Sequence, residues 1–194
     1  MIRCYVTDRR QGDLLAHVVR AIANGVDMIQ VREKDLAAAE LFDLVCRVRE
    51  AAAGTGTKVL VNGRLDIARI AGIDGVHLPA DGLPVAQVRP HVRTLGKSCH
   101  SIEEAIQAES DGVDYIIFGP VFETPGKKAV GLDALRLVAL AVKVPVLAIG
   151  GMTESGDQLN TVEQYQVAVV KDWKQVGKNR FVYNKMIIIN RKMK

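Results

Sequence analysis

Short runs of apolar, β-branched residues recur at regular intervals along the chain: 2–6, 28–31, 59–62, 76–78, 115–118 and 144–149, with a weaker run at 95–99. Most are unbroken by polar positions. A strand with one face in water alternates, whereas a strand covered on both faces does not, so these runs predict a parallel sheet sheathed by helices. Helical stretches fill the intervals, at 14–23, 36–53, 65–71, 85–91, 102–110 and 132–142. In the second of them Leu41, Leu44, Val45 and Val48 recur at helical spacing, leaving Glu40, Arg47 and Glu50 for solvent. Ser101 followed by Glu104 is a capping box, in which hydroxyl and carboxylate satisfy amides that the first turn leaves unpaired. It marks a strand-to-helix boundary directly after His100.

Strict strand-helix alternation with short links allows a doubly wound open sheet or a closed barrel. No GxGxxG opens the first helix, and glycines or polar groups follow several different strands, as the active face of a barrel requires. The expected architecture is therefore α/β, a (β/α)8 barrel of the TIM type with a parallel sheet. Its weak point is the eighth strand. The segment 166–170 is the candidate, and from Lys171 onward alanine vanishes while Trp173, Asn179, Asn184 and Met186-Ile187-Ile188-Ile189 change the character of the chain. The expected division is a barrel domain at 1–170 and an atypical basic extension at 171–194. That extension is a divergent end, a foreign stretch, or an added strand with a basic tail. If the eighth strand is missing, the barrel stays open with an apolar edge, which makes a homodimer a candidate assembly.

Composition narrows the class. With 48% hydrophobic and 25% charged residues among 194, the chain has enough apolar material for a substantial core, and disorder is excluded. No apolar run approaches the length that crosses a bilayer, and no charged start followed by an apolar stretch opens the chain, so a cytoplasmic protein without membrane contact is expected. Cys4, Cys46 and Cys99 are odd in number and scattered, which suits reduced core thiols. The formal charge of +4 is uneven: from Asp157 onward eight Lys and Arg face three acids, so the first 156 residues carry −1. A basic tail of this kind is ordinarily solvated surface, and nucleic acid is not an expected partner.

Candidate chemistry gathers at strand ends. Gln30-Val31-Arg32-Glu33-Lys34 ends the second strand; by alternation Gln30, Arg32 and Lys34 share a side, and two cations there suit a phosphate or pyrophosphate. A solvated charge cluster opening the next helix explains the same residues equally well. Ser98-Cys99-His100 ends the fifth strand. A lone histidine is more often structural, but one at a rim where loops converge is suited to proton exchange near neutral pH. After the sixth strand, a Gly- and Pro-rich loop bearing Thr124 and Lys127 is able to close over an anion, unless it is merely an exposed basic turn. After the seventh, the bare amides of Gly150 and Gly151 can approach phosphate oxygens, and the region following strands 7 and 8 commonly cradles phosphate in barrels.

Taken in series, Gln30-Val31-Arg32-Glu33-Lys34, Asp74-Gly75-Val76-His77-Leu78, Ser98-Cys99-His100-Ser101, Asp114-Tyr115-Ile116-Ile117-Phe118-Gly119-Pro120-Val121-Phe122 and Ala148-Ile149-Gly150-Gly151-Met152 resemble the thiamine-phosphate synthase and thiazole tautomerase (TenI-like) superfamily. The resemblance runs from about the start of the chain to Met152. It implies a barrel that holds a small phosphorylated thiazole, with Gln30, Arg32, Lys34, Asn62, Ser98, Thr124, Lys127, Gly150 and Gly151 as its binding set.

The departures from the synthase pattern carry information. Synthases join a pyrimidine pyrophosphate to a thiazole phosphate, and the resemblance implies an acid after Asn62 and another after the His77-Leu78 motif, both holding magnesium. Here those positions are Gly63 and Gly82, with Asp81 one residue out of place, and a synthase threonine is replaced by Gly126. TenI-like relatives also lack the metal acids and use the histidine matched by His100 to shift a proton within the thiazole. The expectation is therefore a thiazole tautomerase acting through His100 with no cofactor. The alternatives are a magnesium-dependent thiamine-phosphate synthase, a transferase, and a non-catalytic binding or regulatory protein.

Overall fold

A computed structural model describes residues 2–124, 126 and 128–150, and the backbone of strand segments 165–171, 174–175, 181–182 and 185–191. The chain divides into two compact units, 2–95 and 96–194, with Met1 grouped alongside the latter.

The first unit opens with β1 (Cys4–Val6), α1 (Leu14–Ala23), β2 (Met28–Val31), α2 (Ala38–Ala52), β3 (Lys58–Asn62), α3 (Leu65–Ala71), β4 (Gly75–Leu78) and the short α4 (Val85–Val88). Strands β1 to β4 are parallel and pair in chain order, with Cys4 opposite Met28, Met28 opposite Lys58 and Leu60 opposite Gly75. The expectation of strands covered on both faces holds: every residue of β2 and β4 is buried. Helix α2 turns Leu41, Val45, Val48 and Ala52 inward at helical spacing. Each large apolar side chain buried in this way contributes about 1.5–3 kcal/mol. Helix α1 begins where Asp13 accepts a hydrogen bond from the Ala16 amide at 3.1 Å.

The second unit begins inside β5 (Thr94–Cys99) and continues through α5 (Ile102–Ser110), β6 (Tyr115–Phe118), α6 (Gly131–Ala141) and β7 (Val146–Ile149). Strands β5, β6 and β7 are again parallel neighbours. Glu109 at the end of α5 accepts the amides of Lys143 and Val144, at 2.5 and 2.8 Å, and so fixes the entry to β7.

The eighth strand departs from expectation. The segment proposed for it does form a strand, β8 (Tyr165–Lys171), but β8 does not lie parallel beside β7. The neighbour of β7 is β11 (Lys185–Arg191), which runs antiparallel to β7 and to β8, with Met186 opposite both Ile149 and Val170. The short β9 (Lys174–Gln175) and β10 (Phe181–Val182) form a separate antiparallel pair. An apolar run specifies a strand but not its direction, and the second apolar run at 186–189 offered β8 a local partner with little loop-closure cost. Among the described residues no helix is long and apolar enough to cross a membrane.

Candidate active site

At the end of β2 the chain changes environment within two residues. Gln30 is 2% exposed, and its amide donates to Asn62 Oδ1 at 3.0 Å, so a polar group that burial would penalise is satisfied by the adjacent strand. Strand pairing stops at Val31. Arg32 and Lys34 lie beyond it and are exposed while Val31 and Glu33 are buried, so alternation continues past the last paired residue; Gln30 is buried with the rest of its strand, and the two cations that follow it reach solvent.

Between the two cations sits Glu33, whose side chain is 3% exposed. It accepts the Thr7 hydroxyl at 2.6 Å and the Arg9 amide at 3.2 Å on each carboxylate oxygen. The Thr7 oxygen in turn accepts the Arg32 amide at 3.0 Å. Arg9 pairs with Asp35 at 2.5 Å. Among the described residues no acid pairs with the side chain of Arg32 or Lys34, in contrast to Arg9, Arg10 and Arg64. Two such cations at a strand end are suited to an anionic group.

The ends of β3 and β4 carry Asn62, Gly63 and the buried His77, whose carbonyl accepts the Gly63 amide at 2.8 Å. Of the nearby acids, Asp66 is engaged by Arg64 at 2.6 Å, a contact that holds its carboxyl below the usual range, and Asp81 is exposed. Among the described residues no group of three His, Cys, Asp or Glu side chains could hold a metal ion.

In the second unit, β5 presents Ser98, half-buried, and then His100 at the rim. The Ser101 hydroxyl accepts the Glu104 amide at 3.1 Å, as the capping pattern requires. The Glu104 carboxylate reaches one residue further back and accepts the His100 amide at 2.7 Å. The helix cap thus anchors the backbone of the candidate proton carrier. Its ring is anchored as well, with Nδ1 2.5 Å from the Gly119 carbonyl oxygen. A carbonyl can only accept, so Nδ1 bears the proton, and in the neutral ring the lone pair lies on Nε2.

Gly119 begins the segment after β6, and backbone contacts tie that segment to the end of β7. The Val121 amide donates to Ile149 O at 2.9 Å and the Phe122 amide to Gly150 O at 3.1 Å. The approach is close enough to demand glycine: a Cβ on Gly119 would lie 2.1 Å from Ile149 O, and one on Gly150 would lie 2.5 Å from Pro120 Cβ. The far side of the loop returns through hydrogen bonds from Val130 to Pro120 and from Gly131 to Val121. Thr124 is half-buried on this loop; Lys127 and Gly151 lie outside the described residues.

Within the first unit, therefore, Gln30 and Asn62 meet directly, with Arg32 and Lys34 beyond them; within the second, His100, Gly119 and Gly150 belong to one rim. Thr7, Arg9 and Glu33 were not singled out by the sequence reading. The alternation that buries Val31 also buries Glu33, and that was the available signal.

Comparison with known proteins places these observations. The family model described as thiamine monophosphate synthase matches residues 4–172. The chain belongs to that family. A putative thiamine-phosphate synthase of Geobacter sulfurreducens is 43% identical over 160 residues, covering 77% of this chain and 75% of the relative. The thiamine-phosphate synthase of Caldanaerobacter subterraneus is 37% identical over 159 residues, covering 77% and 74%. Among solved structures, thiamine phosphate pyrophosphorylase from Pyrococcus furiosus aligns with a TM-score of 0.74 and 32% identity over 82% of this chain and 81% of that one. The N-acetylmannosamine-6-phosphate 2-epimerase of Clostridium perfringens, at a TM-score of 0.58 and 14% identity, shares the fold alone. This thiamine-phosphate synthase family member accordingly has the α/β, TIM-barrel-like fold, works in thiamine biosynthesis and is an enzyme of the synthase type.

Magnesium is the metal implied by synthase chemistry, and the residues at hand do not fit the expected pair of carboxylates. Gly63 and Gly82 carry no side chain, Asp66 is occupied by Arg64, and a hard cation needs oxygen ligands that these positions do not provide.

Proposed function

We propose that this protein is a transferase of the thiamine-phosphate synthase type that joins a pyrimidine pyrophosphate to a thiazole phosphate. The family match over residues 4–172 carries the reading, with a relative named putative thiamine-phosphate synthase at 43% identity and others named thiamine-phosphate synthase at 37% and 40%. Sequence reasoning ranked tautomerisation first because the metal acids are missing; the names of the relatives reverse that order. In the coupling, a bond forms between the thiazole nitrogen and the pyrimidine methylene carbon while the bond from that carbon to pyrophosphate breaks. Arg32 and Lys34, two exposed cations that pair with no acid among the described residues, receive the departing pyrophosphate. Gln30, whose amide is held by Asn62, precedes them at the end of the same strand. The Gly150 and Gly151 amides, with Ser98, Thr124 and Lys127, hold the thiazole phosphate.

A second reading rests on one observation, the contact between His100 Nδ1 and the Gly119 carbonyl. It leaves Nε2 as a base that takes a proton from one position of a thiazole carboxylate phosphate and returns it to another, with no net change in atoms. In this reading Arg32 or Lys34 pairs with the substrate carboxylate.

The family domain is taken to occupy 1–170 and residues 171–194 to be an addition to it. The working location is the cytoplasm, with neither nucleic acid nor membrane as partner. One experiment orders the two readings. Purified protein is mixed with the pyrimidine pyrophosphate, thiazole phosphate and magnesium chloride, and pyrophosphate release is followed. Release matched by coupled product supports the transferase. No release, together with conversion of the thiazole tautomer in a parallel sample, replaces it with the second reading.

A further inference from the structure

The residue that organises the anion-facing end of β2 is one to which no role has been assigned. Glu33 is an acid flanked by two exposed cations, yet its side chain is 3% exposed and pairs with neither. Burying an ionised carboxylate is costly unless hydrogen bonds replace the lost water. Here they do. The Thr7 hydroxyl donates at 2.6 Å, the Arg9 amide donates to both oxygens at 3.2 Å, and the Arg9 guanidinium Nε lies 3.9 Å away. These donors come from the segment that follows β1, where Arg9–Gln11 form a single 3-10 turn. One further bond completes the arrangement: the Thr7 oxygen accepts the Arg32 amide at 3.0 Å. The chain of contacts therefore runs from Glu33 through Thr7 to the backbone of Arg32.

We infer that Glu33 is a positioning residue for the anion site at the end of β2. Its buried carboxylate fastens the segment after β1 to the segment after β2, and through Thr7 it sets the direction in which Arg32 leaves the sheet. Arg9 is occupied by Glu33 and Asp35, whereas Arg32 and Lys34 pair with no acid among the described residues. This inference rests on the proposed reading of those two residues as pyrophosphate ligands.

The sign of the effect separates positioning from plain electrostatics. Removing a negative charge beside two cations, with nothing else changed, tightens the binding of an anion. Loosening the backbone that presents Arg32 weakens it. Glu33→Gln keeps an oxygen for the Thr7 hydroxyl but turns an amide nitrogen toward the Arg9 amide, donor against donor. Thr7→Val breaks the relay without altering charge, and Thr7→Ser retains it.

The test is titration calorimetry of inorganic pyrophosphate into the full chain and its variants, with Arg32→Ala as reference and a thermal melt of each. The expected result is binding by the unmodified chain and by Thr7→Ser. Glu33→Gln and Thr7→Val should weaken it about tenfold or more, the scale on which small misplacements of binding groups act. A role confined to stability would lower the melting temperature and leave the affinity of the folded protein unchanged, and that result overturns the inference, as does tighter binding in Glu33→Gln. If the unmodified chain binds no pyrophosphate, or if Arg32→Ala binds as well as it does, the reading of the site fails instead. If Glu33→Gln does not fold, Thr7→Val and Thr7→Ser decide the matter alone.

Discussion

The rim at the end of β2 and the rim at the ends of β6 and β7 are stiffened by different means. The first is held by side chains: Gln30 on Asn62, and Glu33 on Thr7 and Arg9. The second is held by backbone, with the Val121 and Phe122 amides on the carbonyls of Ile149 and Gly150, and glycines where any side chain would collide. A rim built from side chains can be altered one residue at a time with its strands intact. A rim built from backbone cannot, because each contact there is also part of the fold. The division separates the two readings: an anion gripped by charge at the first rim serves the coupling, and a histidine held in a single orientation at the second serves the tautomer conversion.

The largest expected effect lies where the backbone rim carries chemistry. Replacing His100 by Ala should lower any tautomer conversion by about 10²–10⁴-fold, the usual worth of a positioned general base, while leaving pyrophosphate binding unchanged. Equal conversion rates would remove His100 from the second reading. Next comes Gly119→Ala, which should cost about 3 kcal/mol in urea unfolding, because its Cβ would lie 2.1 Å from Ile149 O and the carbonyl cannot retreat without leaving its bond to Val121. An unchanged midpoint would show that the rim yields more easily than its contacts imply.

Much of this was legible in the sequence, for identifiable reasons. Helices α1, α3 and α5 begin and end where periodicity places them, and Ser101 marks the start of α5 by accepting a first-turn amide. The buried strands were legible because a run without polar interruption has few other homes. Three things were not. The partner of 166–170 depends on a second apolar run, 186–189, and on direction, which composition does not encode. The split between Gln30 and Arg32 depends on where pairing stops. Glu33 was hidden because an acid between two cations reads as solvent-facing, although its phase with Val31 placed it inside.

Smaller effects sharpen the contrast from the stability side. Ser101→Ala removes the acceptor for the Glu104 amide and should cost about 1 kcal/mol in a thermal melt. A larger loss would mean that the cap also supports the His100 rim through Glu104. The smallest effect concerns the thiols. Burial pushes Cys4 and Cys99 up to about 12, so the native state resists their ionisation. Their contribution is fully present below the unfolded-chain value of about 8.5 and declines as pH rises from there toward the folded value. Urea midpoints should fall between neutral and alkaline pH, and fall less in Cys4→Ala; parallel slopes would show that the buried thiol is not responsible.

The most direct test of the account is the rate of coupled product formed from pyrimidine pyrophosphate and thiazole phosphate by the intact protein and by Arg32→Ala. The account predicts product from the intact protein and a collapse of that rate in the variant. It is contradicted if the intact protein yields no coupled product at any magnesium concentration, or if Arg32→Ala couples at the full rate.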